Sequence, residues 1–139
     1  MDRIEWNESF SLGIENIDGQ HKQLFKLTNL LFETMEAASC TPMIEPVFRG
    51  LMTYAQAHFA AEETLMQQVE FPHLAAHQAE HLALTSKAWE MMHRLKAENK
   101  ASAVRLAMHL KNSLIRHILD EDSRYGAFMR QQQSVSQKL

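Results

Sequence analysis

The chain has 139 residues, a formal charge of −3 and a pI near 6.2, which suits one domain with a sizeable core. Its basic residues are spread out, so neither nucleic acid nor an acidic membrane surface is an expected partner. The single cysteine, Cys40, excludes an intrachain disulfide and is typical of a reducing compartment. The first residues lack the pattern of a secretory signal and no apolar stretch reaches the length of a membrane span, so we expect a cytoplasmic protein.

Residues 1–17 carry apolar side chains without a helical period, because Ser11 and Gly13 interrupt the stripe. We predict that they form an arm packed across the helices. Asp18 is the expected N-cap of the first helix, since its carboxylate can accept the free amides of the first turn. His21 lies one turn before the inward stripe of this helix, which is Leu24, Thr28, Leu31 and Met35.

Three further helices are predicted. The second starts between Pro42 and Pro46, the third runs from about Pro72 to Ala97, and the fourth follows the polar segment 98–100. The inward stripe of the second helix is Val47, Leu51, Tyr54 or Ala55, His58, Glu62 and Leu65 or Met66. That of the third helix is Leu74, His77, His81, Leu84, Ala88, Met91 and Leu95. That of the fourth helix is Val104, Ala107, Leu110, Leu114, His117 or Ile118, Glu121 and Tyr125. Short connections between four amphipathic helices predict an all-α, up-down-up-down four-helix bundle over residues 1–131, with a polar, frayed tail at 132–139.

The inward histidines of the four helices are expected at one level of this bundle. In antiparallel neighbours, two residues at the same level have numbers that sum to twice the number at the centre of the turn. Three pairs give centres that coincide with the predicted breaks: His21 with His58 near 39–40, His58 with His81 near 69–70, and His81 with His117 at 99. Glu62 and His77 then lie about one turn away.

Such a set of buried polar groups is costly unless its members are paired or bind metal. The set comprises one carboxylate, Glu62, and five imidazoles, those of His21, His58, His77, His81 and His117. One tetrahedral zinc needs fewer donors, whereas two metals that share a carboxylate account for the number. Imidazole with carboxylate suits iron among a few other metals.

A second carboxylate is expected from the acidic run in the fourth helix. On a regular helix Glu121 points the same way as His117, whereas Asp122 is about 140° away. Asp122 would reach the site only if the helix widened locally just after His117, as in a π-bulge. Glu63 lies about 100° around the helix from Glu62 and is expected to contact the site from outside.

The other histidines and the methionines have simpler interpretations. His73, His93 and His109 fall off the inward stripes or at a helix start, so surface positions are predicted for them. Core-filling roles are predicted for Met35, Met66, Met91, Met92 and Met108.

The motifs together resemble the bacterial hemerythrins over residues 1–130. The matching segments are 13–14 (Gly-Ile), 17–22 (Ile-Asp-Gly-Gln-His-Lys), 58–63 (His-Phe-Ala-Ala-Glu-Glu) with Met66, 71–72 (Phe-Pro), 77–81 (His-Gln-Ala-Glu-His), and His117-Ile118 with Asp122, beside the arm's Trp6. The resemblance implies two non-haem iron ions joined by an oxo or hydroxo group. It implies that His77, His81 and His117 hold one iron, that His21 and His58 hold the other, and that Glu62 and Asp122, not Glu121, bridge them.

The same resemblance implies reversible O2 binding at the iron with two histidines, for carriage, storage or delivery. Alternatives are an O2 or redox sensor acting through a separate partner, and a di-iron enzyme acting on peroxide or nitric oxide. We expect no enzyme, because the sequence offers no dedicated acid or base beyond the ligands. A monomer is expected, with O2 as ligand and an unidentified protein as a receiver of O2 or of the signal.

One position departs from the family. Relatives often carry Trp where this chain has Ser113, so we expect a wider or wetter pocket with faster ligand exchange or autoxidation. The predicted apolar wall of that pocket is Leu24, Phe25, Leu114 and Ile118.

Overall fold

The structure is a computed structural model that describes residues 3–37, 41–95 and 100–138. Its helices are α1 (Glu15–Glu36), α2 (Ile44–Gln68), α3 (Leu74–His93), α4 (Lys100–Arg116) and α5 (Ser123–Lys138). A π-helical segment, His117–Asp122, joins α4 to α5, so these three form one continuous rod. α1 packs against α2 and α4, and α3 packs against the same two helices, which closes the ring. The predicted all-α four-helix bundle is confirmed, and the described ranges contain no strand.

The start of α1 corrects the sequence prediction. The helix begins at Glu15, three residues before Asp18, and its N-cap is Ile14 without a side-chain cap. The Asp18 carboxylate instead accepts hydrogen bonds from the Leu12 amide (2.8 Å) and the Ser11 hydroxyl (2.6 Å). Asp18 therefore fixes the arm to the first turn, since a short carboxylate can satisfy amides of a preceding turn as well as those of its own helix.

The N-terminal arm packs across the bundle as predicted. Its apolar side chains at Ile4, Phe10 and Leu12 are buried. The backbone of Ile4 is paired in both directions with the Asn29 side chain, at 2.8 and 2.9 Å. Beside it, the ring of Phe10 meets that of Phe25 edge-on at 5.1 Å, and the arm is thereby held by both polar and apolar contacts.

The connection between α2 and α3 closes as a tight turn. Phe71 donates its amide to the Met66 carbonyl at 2.9 Å, and Glu70 adopts a left-handed backbone with φ of 55°. The predicted break near 69–70 is therefore confirmed. The other predicted turn centres, near 39–40 and at 99, lie outside the described residues.

Helix α3 is shorter than predicted at both ends. It begins at Leu74 instead of Pro72, because the 71–73 segment still belongs to the turn. It ends at His93, and the amides of Arg94 and Leu95 close its last turn on the carbonyls of Glu90 and Met92.

The predicted inward stripes are buried or half-buried, with one exception. Val104 is 44% exposed, whereas Ala103 and Leu106 are buried in its place, so the phase at the start of α4 is one residue earlier than predicted. Met108 is 45% exposed and is not a core residue, for the same reason. The other predicted core methionines are buried or half-buried: Met35, Met66, Met91 and Met92.

The segment predicted as a polar, frayed tail continues α5 as far as Lys138, and its fraying stays a prediction. Residues 127–138 contain neither glycine nor proline, and their glutamines are good helix formers, so nothing local stops the helix. No helix in the described part of the chain combines the length and apolarity needed to cross a membrane.

Candidate metal centre

Seven polar side chains meet at the middle of the bundle, in an otherwise apolar core. The structure brings together all of the residues predicted for the site: His21, His58, Glu62, His77, His81, His117 and Asp122. Each of them is at most 3% exposed. They form two overlapping groups, and in each group the donor atoms lie within 4.8 Å of one another. Glu62 and Asp122 belong to both groups, so the two carboxylates lie between two sets of imidazoles.

The π segment explains why Asp122 reaches the cluster. A π turn is wider than an α turn, so a residue five positions after His117 returns to nearly the same direction. Asp122 is fully buried, and its carboxylate lies 2.9 Å from His77 Nε2, 3.0 Å from His117 Nε2 and 3.1 Å from His21 Nε2. The regular helical count that favours Glu121 is wrong here. Glu121 is half-buried and lies 3.7 Å from the Arg124 guanidinium, away from the cluster.

The second carboxylate, Glu62, is held from two sides. Its Oε1 lies 2.9 Å from His58 Nε2 and 3.6 Å from His81 Nε2. Its Oε2 accepts a hydrogen bond from the hydroxyl of Tyr125, which is fully buried. Sequence reasoning placed Tyr125 on the inward stripe but missed this role. The signal was available, because a tyrosine on a core stripe must find a partner for its hydroxyl.

Two histidines are also held on their outer side. Glu63 Oε2 accepts from His81 Nδ1 at 2.8 Å, which confirms the contact expected for Glu63. Gln20 Oε1 accepts from His58 Nδ1 at 2.6 Å, a role that the sequence did not suggest. A proton held at Nδ1 leaves Nε2 as the free donor atom that faces the centre.

Both carboxylates are ionised at neutral pH. Burial and the charge of Asp122 raise the pKa of Glu62, but the close imidazole nitrogens of His58 and His81 outweigh them and lower it. Burial also raises the pKa of Asp122, yet the close imidazole nitrogens of the surrounding histidines leave it well below its usual value. The pKa of Tyr125 is raised far above its usual value, by burial first and then by Glu62, so the phenol keeps its proton and donates it.

The donor set fits a metal centre better than a closed hydrogen-bond network. Six buried atoms find no hydrogen-bond partner among the described residues: both ring nitrogens of His21, His58 Nε2, Glu62 Oε1, His117 Nδ1 and Asp122 Oδ2. Moreover, the Nε2 atoms of His81 and His117 face each other at 3.1 Å. Unpaired buried nitrogen and oxygen atoms are costly unless a cation accepts their lone pairs. Imidazole and carboxylate donors fit a non-haem iron site.

Residues around the centre follow the sequence predictions with one correction. His73 and His93 are exposed, as predicted. The predicted surface position of His109 is only partly right, because its half-buried side chain also lines a cavity. The predicted wall residues Leu24, Phe25 and Ile118 are buried and Leu114 is half-buried.

Comparison with known proteins places the chain in a family. The model for the hemerythrin HHE cation binding domain matches residues 12–128. A bacteriohemerythrin of Pseudomonas paraeruginosa is 30% identical over 125 residues, which cover 90% of this chain and 80% of the relative. A bacteriohemerythrin of Stenotrophomonas maltophilia is 30% identical over 129 residues, covering 91% and 81%. That of Methylococcus capsulatus is 28% identical over 127 residues, covering 91% and 96%. With a matched domain that contains the whole buried cluster, the chain belongs to the hemerythrin family.

Proposed function

We propose that this protein binds O2 reversibly at a pair of non-haem iron ions, for carriage, storage or local delivery of O2. The observation that carries the proposal is the double donor cluster, in which two groups of histidines share Glu62 and Asp122. A single metal would use one group and leave the other group's buried nitrogens unpaired. Relatives with the printed name bacteriohemerythrin support the same role.

The two groups differ in their number of imidazoles. His77, His81 and His117 would hold one iron and His21 and His58 the other, and the carboxylates of Glu62 and Asp122 would serve both. The iron with only two histidines has fewer protein donors and is the proposed place for the ligand. When bound, the two irons would share the electron transfer that reversible O2 binding requires.

The chain's own residues keep the site in place and dry. Gln20 and Glu63 orient the imidazoles of His58 and His81, and Tyr125 holds Glu62. Around them, the apolar wall of Leu24, Phe25 and Ile118 is at most 2% exposed. Exclusion of water slows loss of a reduced oxygen species and thus favours release of O2 itself.

We propose binding, not catalysis, as the main role. Glu63 and Tyr125 are titratable side chains that touch the cluster, and each is already hydrogen-bonded to one of its members. Both side chains therefore serve to orient cluster residues, and this supports a binding role. We also propose that the protein acts as a cytoplasmic monomer, which fractionation and sedimentation would test.

The test is a cycle of oxygenation. The purified protein is analysed for iron, reduced without oxygen, exposed to O2 and then purged, while its visible absorption is followed. We expect about two iron ions per chain and repeated reversal of the spectrum. An iron content far below a pair per chain would contradict the site. Irreversible oxidation at the first exposure would contradict O2 carriage and favour a redox sensor or an enzyme.

A further inference from the structure

An apolar cavity of about 60 Å³ lies next to the metal cluster. Each of the helices α1 to α4 contributes a lining residue about one turn from a cluster histidine: Leu24 follows His21, Ala55 precedes His58, Thr85 follows His81 and Ser113 precedes His117. Phe59 forms the floor toward the cluster, and its ring stacks on that of His81 at 3.9 Å. The cavity thus lies on the side of the histidines away from Tyr125.

The walls of the cavity differ in their access to solvent. Every lining residue from α1 and α2 is buried, with exposures of 8% or less: Leu24, Thr28, Leu51, Met52, Ala55 and Phe59. Among the lining residues from α3 and α4, Ala88 is buried and the other six are partly exposed: Leu84, Thr85, His109, Leu110, Ser113 and Leu114. The cavity is therefore closed on the side of α1 and α2, and it reaches solvent along the seam between α3 and α4.

His109 and Ser113 form the polar part of this seam. The Ser113 hydroxyl donates to the His109 carbonyl and lies 3.3 Å from the ring nitrogens of His109. Burial, and then the charge of Lys87 on α3, lower the pKa of His109, so its ring is neutral at pH 7. The mouth of the cavity is thus polar but uncharged on the α4 side.

We propose that the seam between α3 and α4 is the entry route for a small uncharged molecule, and that His109 is the side chain that controls it. The cavity has the size of a diatomic gas or a xenon atom, and its lining is mostly apolar. An ion would lose its hydration on entry without gaining a partner, so neutral molecules are selected. The identity of the molecule as O2 rests on the proposed function, whereas the route itself does not.

The first experiment measures xenon exchange in the purified, metal-containing protein by ¹²⁹Xe NMR. His109→Trp places a larger side chain at the mouth, and we expect xenon exchange to slow by roughly tenfold, equivalent to a small added barrier. The matched control is Met108→Trp, on the adjacent residue, which is 45% exposed and does not line the cavity. His109→Ala should exchange xenon at least as fast as the unmodified chain. Equal exchange in His109→Trp and Met108→Trp would overturn the proposal.

The second experiment measures O2 release from the same variants by stopped-flow with an O2 trap. We expect release to slow in His109→Trp in parallel with xenon exchange and to be unchanged in Met108→Trp. Slow xenon exchange with normal O2 release would overturn the seam as the route to the metal. If no variant binds O2 at all but xenon exchange still slows, the proposed function fails while the mouth of the cavity stands.

Discussion

The level of the cluster histidines separates two differently packed sides of the bundle. On the tyrosine side, Ile17, Met66, Phe71, Tyr125 and Met129 form a buried group, and a hydroxyl from that group holds Glu62. On the cavity side, Phe59, Ala55 and Ser113 leave a space of about 60 Å³ between the helices. One side fixes the donors through hydrogen bonds and close packing, and the other leaves room for a molecule to arrive. A binding site needs both, and here they are separated along the bundle axis.

The largest effect is expected where the tyrosine side meets the cluster, at Asp122. Asp122→Ala should lose most of its iron, because it removes a carboxylate shared by both donor groups. Loss of even an outer partner of a metal ligand costs about 10–100-fold in metal affinity, and a direct donor costs more. The neighbouring Glu121→Ala is the matched control and should keep its iron, since Glu121 lies toward Arg124. The measurement is the iron content of the two purified variants. An equal loss of iron in both would contradict the π-segment geometry.

Removal of one hydroxyl from the tyrosine side should have the next largest effect. Tyr125→Phe leaves Glu62 Oε2 buried without its donor, which should lower the free energy of unfolding by about 1–3 kcal/mol. Tyr54→Phe is the comparison, because Tyr54 is also a helical tyrosine but is only half-buried. Urea unfolding of the two variants measures the difference. A similar small loss in both would mean that the Tyr125 hydroxyl does not support the cluster.

Filling the cavity should change the rate of autoxidation more than it changes the free energy of unfolding. Ser113→Trp places an indole in the seam between α3 and α4, and we expect slower autoxidation by several fold because less water reaches the site. The control is Met108→Trp, whose side chain lies outside the cavity. Decay of the oxygenated protein's absorption in air gives the rate. An unchanged rate in Ser113→Trp would count against a wide or wet pocket as the cause of autoxidation.

The smallest effect is expected at the surface, where Arg3 ties the arm to the end of α1. The Arg3 guanidinium lies 2.8 Å from the Glu36 carboxylate, and this hydrogen bond lowers the pKa of Glu36 from 4.5 to about 2. A lowered pKa adds stability above pH 4.5 that is lost as the pH falls toward 2. Because Glu36 is exposed and Arg3 only half-buried, Glu36→Gln should lower Tm only slightly at pH 7, and the difference should vanish near pH 2. Thermal melts of both proteins between pH 7 and pH 2 test whether the difference in Tm decreases as the pH falls.

The level of the histidines could be predicted from sequence because a bundle has simple geometry. Short connections fix antiparallel neighbours, and period 3.6 then fixes which residues meet, as the confirmed turn near 69–70 shows. The position of Asp122 in the cluster could not be predicted in that way. A regular helix favours Glu121, and only the resemblance to a family supplied the reason to expect a wider turn.

Other details could not be predicted from the sequence because they depend on packing in three dimensions. Asp18 has the right side chain for a helix cap, but the same carboxylate also suits the arm that crosses it. The phase of α4 was one residue late at Val104, which put His109 on the surface instead of beside the cavity. A cavity is the volume that many side chains jointly leave empty, so no local pattern predicts it.

The π segment also has a consequence for how this helix tolerates changes in length. It accommodates one residue more than a regular helix would need between His117 and the buried carboxylate. Deletion of the exposed Leu119 would bring His117 and the aspartate to a spacing of four, which a regular α-helix places on one face. The residues of α5 that follow, including Tyr125, would keep their phase relative to that aspartate. The metal cluster therefore requires only that the aspartate side chain point in the same direction as His117. A π segment with a spacing of five and an α-helix with a spacing of four both meet that requirement.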